Sequence, residues 1–172
     1  MMDDDHTHLG ASVLPHLDAA YNLARWLVRD AHDAQDVVQD ALVRALRHFD
    51  GFRGGDPRPW LLAIVRNAAF SWLGARRPGE VEVPDDELDA ALAAGASPAD
   101  PESLAIRRAE RREIDAAIAA LPIAFREAIV LRELEELSYR DIARITGVPI
   151  GTVMSRLSRA RHLLAIALRS PT

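Results

Sequence analysis

The stretch Ser138–Leu168 reads SYRDIARITGVPIGTVMSRLSRARHLLAIAL and decides the fold of the C-terminal part. Ser138 suits an N-cap, and Asp141 stands three residues later where a capping box places a carboxylate. Ile142, Ala143 and Ile145 give a short first helix its apolar side. Gly147 suits the residue after a helix C-terminus, and Pro149 suits the first turn of the helix that follows. On that second helix, at about 100° per residue, Val153, Leu157, Ala160 and Leu164 fall on one stripe. Ser155, Ser158, Arg159 and His162 fall opposite, with Thr152 and Arg156 on one flank and Met154 on the other. The pattern predicts a helix-turn-helix whose outer face fits the DNA major groove. Short hydroxyl side chains let the backbone approach, and Arg reaches guanine edges or phosphates. The plainer reading is an amphipathic helix with a solvated Arg face; the tight turn and the cap argue against it.

Charge distribution supports the DNA-facing reading. The 172 residues carry a net charge of −5, yet residues 138–172 hold six Arg against one Asp. Residues 51–80 carry a net +3, whereas residues 81–101 carry −6. Two basic blocks separated by an acidic segment predict two nucleic-acid surfaces. All 21 basic residues are Arg, which fits GC-rich coding as well as selection for bidentate contacts. With no cysteine, disulfides and thiolate metal sites are excluded. No apolar run approaches the ~18 residues of a membrane span, so no membrane insertion is expected. The acidic N-terminus MMDDDHTH is unlike a secretory signal, and a cytoplasmic location is expected.

Upstream, apolar residues recur at helical spacing. Residues 12–29 predict a first helix, with Leu17, Ala20, Tyr21, Ala24, Leu27 and Val28 inward. Asp33 can cap a second helix over residues 34–49, with Val37, Val38, Ala41, Leu42, Ala45, Leu46 and Phe49 as its core stripe. Its opposite face carries Asp36, Gln39, Asp40, Val43, Arg44 and Arg47. Val43 amid those polar groups is either an isolated exposed Val or the apolar centre of a protein-docking patch. The Gly-rich loop 50–57 has no strand before it and no Lys-Ser/Thr after it, so it is not a P-loop.

A third helix spans residues 58–76, with Leu61, Ile64, Val65, Ala68 and Trp72 inward. Trp60 and Asn67 share one edge, and Arg66 and Phe70 lie on the outer side. Aromatic, amide and Arg groups beside a basic loop suit a single nucleic-acid strand, although either aromatic alone can be core. Residues 78–101, rich in Pro, Gly, Ala and acid, read as a linker in which LDAALAA can form a helical turn or two. Leu104–Leu121 predicts a helix with Ile106, Ala109, Ile114, Ala117, Ile118 and Leu121 apolar, and Pro122 opens another. The expected fold is all-α: two small helical domains, residues 10–77 and 102–170, joined by the acidic linker 78–101.

DAQDVVQDALVRALRHFDGFRG (33–54) followed by RPWLLAIVRNAAFSWL (58–73) resembles region 2 of the bacterial sigma-70 initiation factors. LPIAFREAIVLRELEELSYRDIARITGVPIGTVMSRLSRARHLL (121–164) resembles the promoter-reading region 4 of that family. The two-domain form is similar to the extracytoplasmic-function (ECF) group. The resemblance implies that Asp36, Gln39, Asp40, Val43, Arg44 and Arg47 dock on core RNA polymerase. It implies that Phe52, Arg53, Gly54, Asp56, Trp60, Arg66, Asn67 and Phe70 hold the unpaired −10 strand and a flipped base. The linker then runs through the polymerase RNA channel. Thr152, Ser155, Arg156, Ser158 and Arg159 read the −35 duplex. Met154 stands where the family usually carries a basic residue, and Pro59 where a Thr is common, so the promoter sequence is left open.

Core RNA polymerase, promoter DNA and an anti-sigma factor are the implied partners, with no cofactor and no metal. A stand-alone helix-turn-helix regulator is the first alternative; it needs neither the Arg66/Phe70 face nor the Val43 patch. An enzyme is the second, but His6 and His8 lack further spaced ligands and no nucleophile–base pair is recognisable.

Overall fold

The computed structural model describes residues 2–81 and 103–169; the segment LDAALAA lies outside them. Among the described residues every regular element is a helix, as the periodicity requires. The first helix predicted over 12–29 is in fact two. Helix α1 covers Met2–Val13, a 3-10 turn covers Leu14–His16, and α2 covers Leu17–Val28. Pro15 is the cause: its ring excludes the preceding turn from regular α geometry and it has no N–H to give. Leu9 and Val13 of α1 are buried, which attaches a segment whose sequence reads only as an acidic tail.

Helix α3 runs from Ala31 to His48 and is capped by Asp30, not Asp33: the Asp30 carboxylate accepts from the Asp33 N–H at 3.0 Å. That hydrogen bond also holds the Asp30 carboxyl below its ordinary pKa. Val37, Ala41 and Ala45 are buried, but Leu46, expected in the core, is 45% exposed. Its position beside the Ala41–Ala45 stripe turns it toward the outer face. A turn at Phe49–Gly51 leads into a loop in which Gly54 and Gly55 both have φ of +84°, a conformation that costs a side-chain-bearing residue. Asp56 caps α4, Pro57–Arg76, and accepts from the Arg58 N–H at 3.0 Å. Leu61, Leu62, Val65, Ala68, Ala69 and Leu73 of α4 are buried, and α2, α3 and α4 pack on one another. A fully buried Leu contributes about 1.5–3 kcal/mol, so this stripe alone stabilises the three-helix body substantially. A short α5, Pro78–Val81, follows.

The C-terminal half begins with α6, Ser103–Ala119. Ile118 is buried, but Ile114 is 43% exposed rather than core, because α6 touches the rest mainly through its last turns and α9. Helix α7, Ile123–Ile129, has all seven residues buried. Its last turn widens to π geometry over Val130–Leu134, where the Glu135 N–H reaches the Val130 carbonyl at 3.0 Å. Arg126, inside this apolar run, is paired only in part: its buried Nε has no hydrogen-bond partner among the described residues. Its Nη1 donates to the Ala119 carbonyl at 2.9 Å and the Leu121 carbonyl at 3.4 Å, closing the C-terminus of α6. Burial lowers its pKa to about 10, so it stays charged.

Helices α8, Tyr139–Thr146, and α9, Ile150–Arg169, form the expected helix-turn-helix. Ser138 Oγ accepts from the Asp141 N–H at 3.1 Å, and Gly147 turns the chain at φ +71°. Pro149 sits just before the helix and its carbonyl accepts from Thr152 and Val153 at 3.0 and 3.1 Å. Val153, Leu157 and Ala160 are buried as the angular reading requires. The two halves do not stand apart. Helix α7 lies between α9 of its own half and α2 of the other, and α8 rests on α4.

Candidate nucleic-acid and polymerase interfaces

Helix α3 presents Asp36, Gln39, Asp40, Val43 and Arg47 to solvent, with Arg44 half-buried and paired to Asp40 at 2.8 Å. Val43 is 44% exposed, and Leu46 extends the same apolar strip along the helix. Two exposed aliphatics flanked by charge are the composition of a docking patch with a polar rim.

The loop and α4 build a second surface. Phe52 stacks with Phe49 at 6.0 Å and lies 5.1 Å from Trp60, while Phe49 meets Trp60 edge-on at 6.3 Å. Phe52 and Trp60 form one wall of a cleft of about 440 Å³, and Phe49 packs against both. Arg53, Gly54, Gly55, Asp56 and Pro59 line the rest, together with Asp141 and Arg144 of α8. An aromatic wall beside backbone free of side chains suits an unstacked base. Phe49, which periodicity assigns to the core, packs against it, partly buried, and backs the two lining rings.

Farther along α4, Asn67 is exposed, whereas Arg66 is engaged. Its guanidinium lies 3.9 Å over the Phe70 ring, and its Nε donates to Glu127 Oε1 at 2.6 Å. Arg58 behaves alike: its Nη2 donates to Glu135 Oε2 at 2.8 Å and to the Glu135 carbonyl at 2.6 Å. Asn22 of α2 donates to the other Glu135 oxygen at 2.6 Å. Glu127 is fully buried, and desolvation raises its pKa against the opposing pull of Arg66 and, more weakly, Arg156. Sequence reasoning misses Arg58, Glu127 and Glu135, since no spacing joins them to their partners.

On α9, Ser155, Ser158 and Arg159 are exposed and Thr152 and Arg156 half-buried, so a continuous polar face is open. Met154 sits beside it, 53% exposed. Ile150, four residues before it, and Leu134 of the preceding segment are also exposed.

Two family models match this arrangement in order: Sigma-70 region 2 over residues 13–78, and Sigma-70, region 4 over residues 111–164. The ECF RNA polymerase sigma-E factor of Escherichia coli strain K12 is 40% identical over 137 residues, covering 77% of this chain and 72% of that protein. The chain belongs to the ECF group of the sigma-70 family. The RNA polymerase sigma-H factor of Pseudomonas aeruginosa is 39% identical over 150 residues, covering 83% of this chain and 76% of that one. Among solved structures, the sigma factor RpoE bound to the anti-sigma factor NepR from Bartonella quintana is similar with a TM-score of 0.68. It is 31% identical and covers 93% of this chain and 96% of its own. CnrH in complex with the cytosolic domain of CnrY gives a TM-score of 0.67 at 25% identity, covering 97% and 91%. This sigma factor thus carries both modules, region 2 before region 4. Among the described residues no helix is long and apolar enough to cross a membrane.

Proposed function

We propose that this ECF sigma factor binds core RNA polymerase, directs it to specific promoters and helps open the −10 element. The observation that carries the reading is the joint presence of regions 2 and 4 in one chain, each with an exposed surface of fitting chemistry. Domain limits at 10–77 and 102–170 follow the family matches to within about ten residues, with 78–101 as connector. Asp36, Gln39, Asp40, Val43, Arg44 and Arg47 dock on the polymerase, and Leu46 joins them as an exposed apolar neighbour. Phe52, Arg53, Gly54, Asp56 and Trp60 frame the base pocket, and Arg66, Asn67 and Phe70 continue the strand path along α4. Thr152, Ser155, Arg156, Ser158 and Arg159 read the −35 duplex. The chain works in the cytoplasm as an initiation factor rather than an enzyme. An anti-sigma protein holds it, as NepR is bound to the sigma factor RpoE of Bartonella quintana.

Reconstitution tests the reading. Purified chain added to bacterial core polymerase should give promoter-specific transcripts with no other initiation factor, and sequencing their 5′ ends should define the −35 and −10 elements. DNA binding without polymerase-dependent transcripts would instead support a stand-alone regulator. The region 2 module argues against that alternative, because a repressor has no use for it.

A further inference from the structure

We propose that Met154 reads thymine in the −35 duplex, by packing its thioether side chain on the 5-methyl group that, of the four bases, only thymine presents in the major groove. This rests on the reading of α9 as the helix that enters the groove, and carries it from the helix to a base. At about 100° per residue, Gly151, Ser155 and Ser158 fall within about 60° of one another on the outer side of α9. All three are exposed, and a Cβ added at Gly151 would meet nothing within 4 Å. A row of such short side chains lets the helix backbone sit close to the base edges. Longer side chains stand on either side of the row. Arg159 borders it on one rim, and Met154 borders it on the other, one turn before Ser158 and about 40° away.

The two rims differ chemically. Arg159 offers donors to guanine edges or phosphates. The Met154 rim offers neither donor nor charge of its own. Arg161, two turns along the same side, is engaged by Glu133, with Nε at 3.2 Å and Nη2 at 2.8 Å from one carboxylate oxygen. Ile150, one turn before Met154, is 45% exposed and continues the apolar rim. Elsewhere an exposed Met requires no explanation. On the edge of this face it is the long apolar side chain that a groove meets. Its apolar counterpart among the base edges is the thymine methyl, since adenine, guanine and cytosine present hydrogen-bonding groups there. The flexible, polarisable thioether chain can follow that methyl as the groove changes shape. Two aliphatic side chains make too small a patch to hold a protein partner, and the charge around them suits DNA: residues 138–172 carry six Arg against one Asp.

Replacing thymine by uracil removes the methyl and nothing else, so it isolates the contact. Holoenzyme formed from the full chain and bacterial core polymerase first selects its −35 element from randomised promoter duplexes. The selected duplex is then prepared with each −35 thymine replaced in turn by deoxyuridine. Binding by the wild-type holoenzyme should weaken about three- to fourfold at one of these positions, the loss expected for one buried methyl. M154A should bind the thymine duplex about as weakly as the wild type binds that uracil duplex, with no further loss on uracil substitution. Met154 is outside the core, so M154A should melt with the wild type. A selected element without thymine overturns the proposal, as does equal wild-type affinity for every uracil duplex. A methyl effect that survives in M154A assigns the contact to another residue and overturns it too. Weaker binding of M154A to core polymerase with unchanged base preference would mean that a protein surface covers Met154, which also overturns it. Failure of the sigma reading shows differently, as an absence of promoter-specific transcripts from the wild type; the duplex is then selected on the chain alone, and the same uracil comparison decides.

Discussion

Arg66 and Glu127 stand 61 residues apart in the chain and meet at 2.6 Å across the junction of the two domains, with Phe70 beneath the guanidinium. The carboxylate is fully buried and the arginine side chain is 20% exposed. Burying such a pair gains little net stability, because desolvation offsets much of the attraction, but removing one partner strands the other. Arg66→Ala should therefore cost the closed arrangement about 3–5 kcal/mol as an upper bound. Opening rehydrates Glu127, so the loss should appear as domain separation rather than global unfolding. Small-angle scattering should show a larger radius of gyration, while the thermal unfolding of the helices moves little.

Val43 and Leu46 should separate docking from stability. Both are more than two-fifths exposed on α3, so Val43→Asp or Leu46→Asp should change the unfolding free energy by no more than about 0.5 kcal/mol. If α3 meets polymerase through this strip, either change should weaken core binding by tenfold or more in a fluorescence titration. Equal affinity for core would remove α3 from the interface.

Trp60 and Asn67 are predicted to behave differently from one another. Trp60 packs on Phe49 and Phe52, so Trp60→Ala should lower stability by roughly 1–3 kcal/mol, less than the full cost of deleting a completely buried aromatic. Asn67 is exposed on α4, and Asn67→Ala should leave the melting temperature alone. Both should retain core binding and slow the opening of a promoter, read by permanganate reactivity of unpaired thymines. Normal opening with Asn67→Ala would show that the strand does not follow that edge.

Arg159 lies on the open face of α9, apart from the buried stripe of Val153, Leu157 and Ala160. Arg159→Ala should weaken binding to a −35 duplex by about 1–3 kcal/mol if the contact is bidentate to a base, and should relax preference at one position. A uniform loss across sequences, with a shallower salt dependence, would make it a phosphate contact instead.

The elements are legible in the sequence where a local rule fixes them. Ser138, Gly147 and Pro149 set the turn, and the inward stripe of α9 follows from its period. Pro15 holds enough information to divide the first helix, but a continuous apolar stripe on both sides of it conceals the break. Periodicity turns Leu46 and Ile114 inward because it locates an apolar stripe without showing how wide a neighbour covers it. The engagement of Arg66 and Arg58 is not legible at all. Periodicity reports that a helix face is polar; it does not report which distant carboxylate that face will meet, and the partners lie 61 and 77 residues away.

Acidity should move the closed form in a defined direction. In that form burial holds the Glu127 pKa above its ordinary 4.5, outweighing Arg66 and the weaker pull of Arg156, the two charged groups that act on it. Opening returns the carboxyl to water and to its ordinary pKa, so the closed form binds more protons than the open one. Proton linkage then makes closure strongest in acid and weaker as pH rises from 4.5 through the raised value. With a fluorescence donor and acceptor on Gln35→Cys and Ala167→Cys of the cysteine-free chain, transfer efficiency should accordingly fall as pH rises above 4.5, and E127Q should flatten that dependence. A wild-type efficiency that rises with pH would mean that the pairing with Arg66 outweighs burial at Glu127, and the charge on that carboxylate would then be the force that holds the domains together.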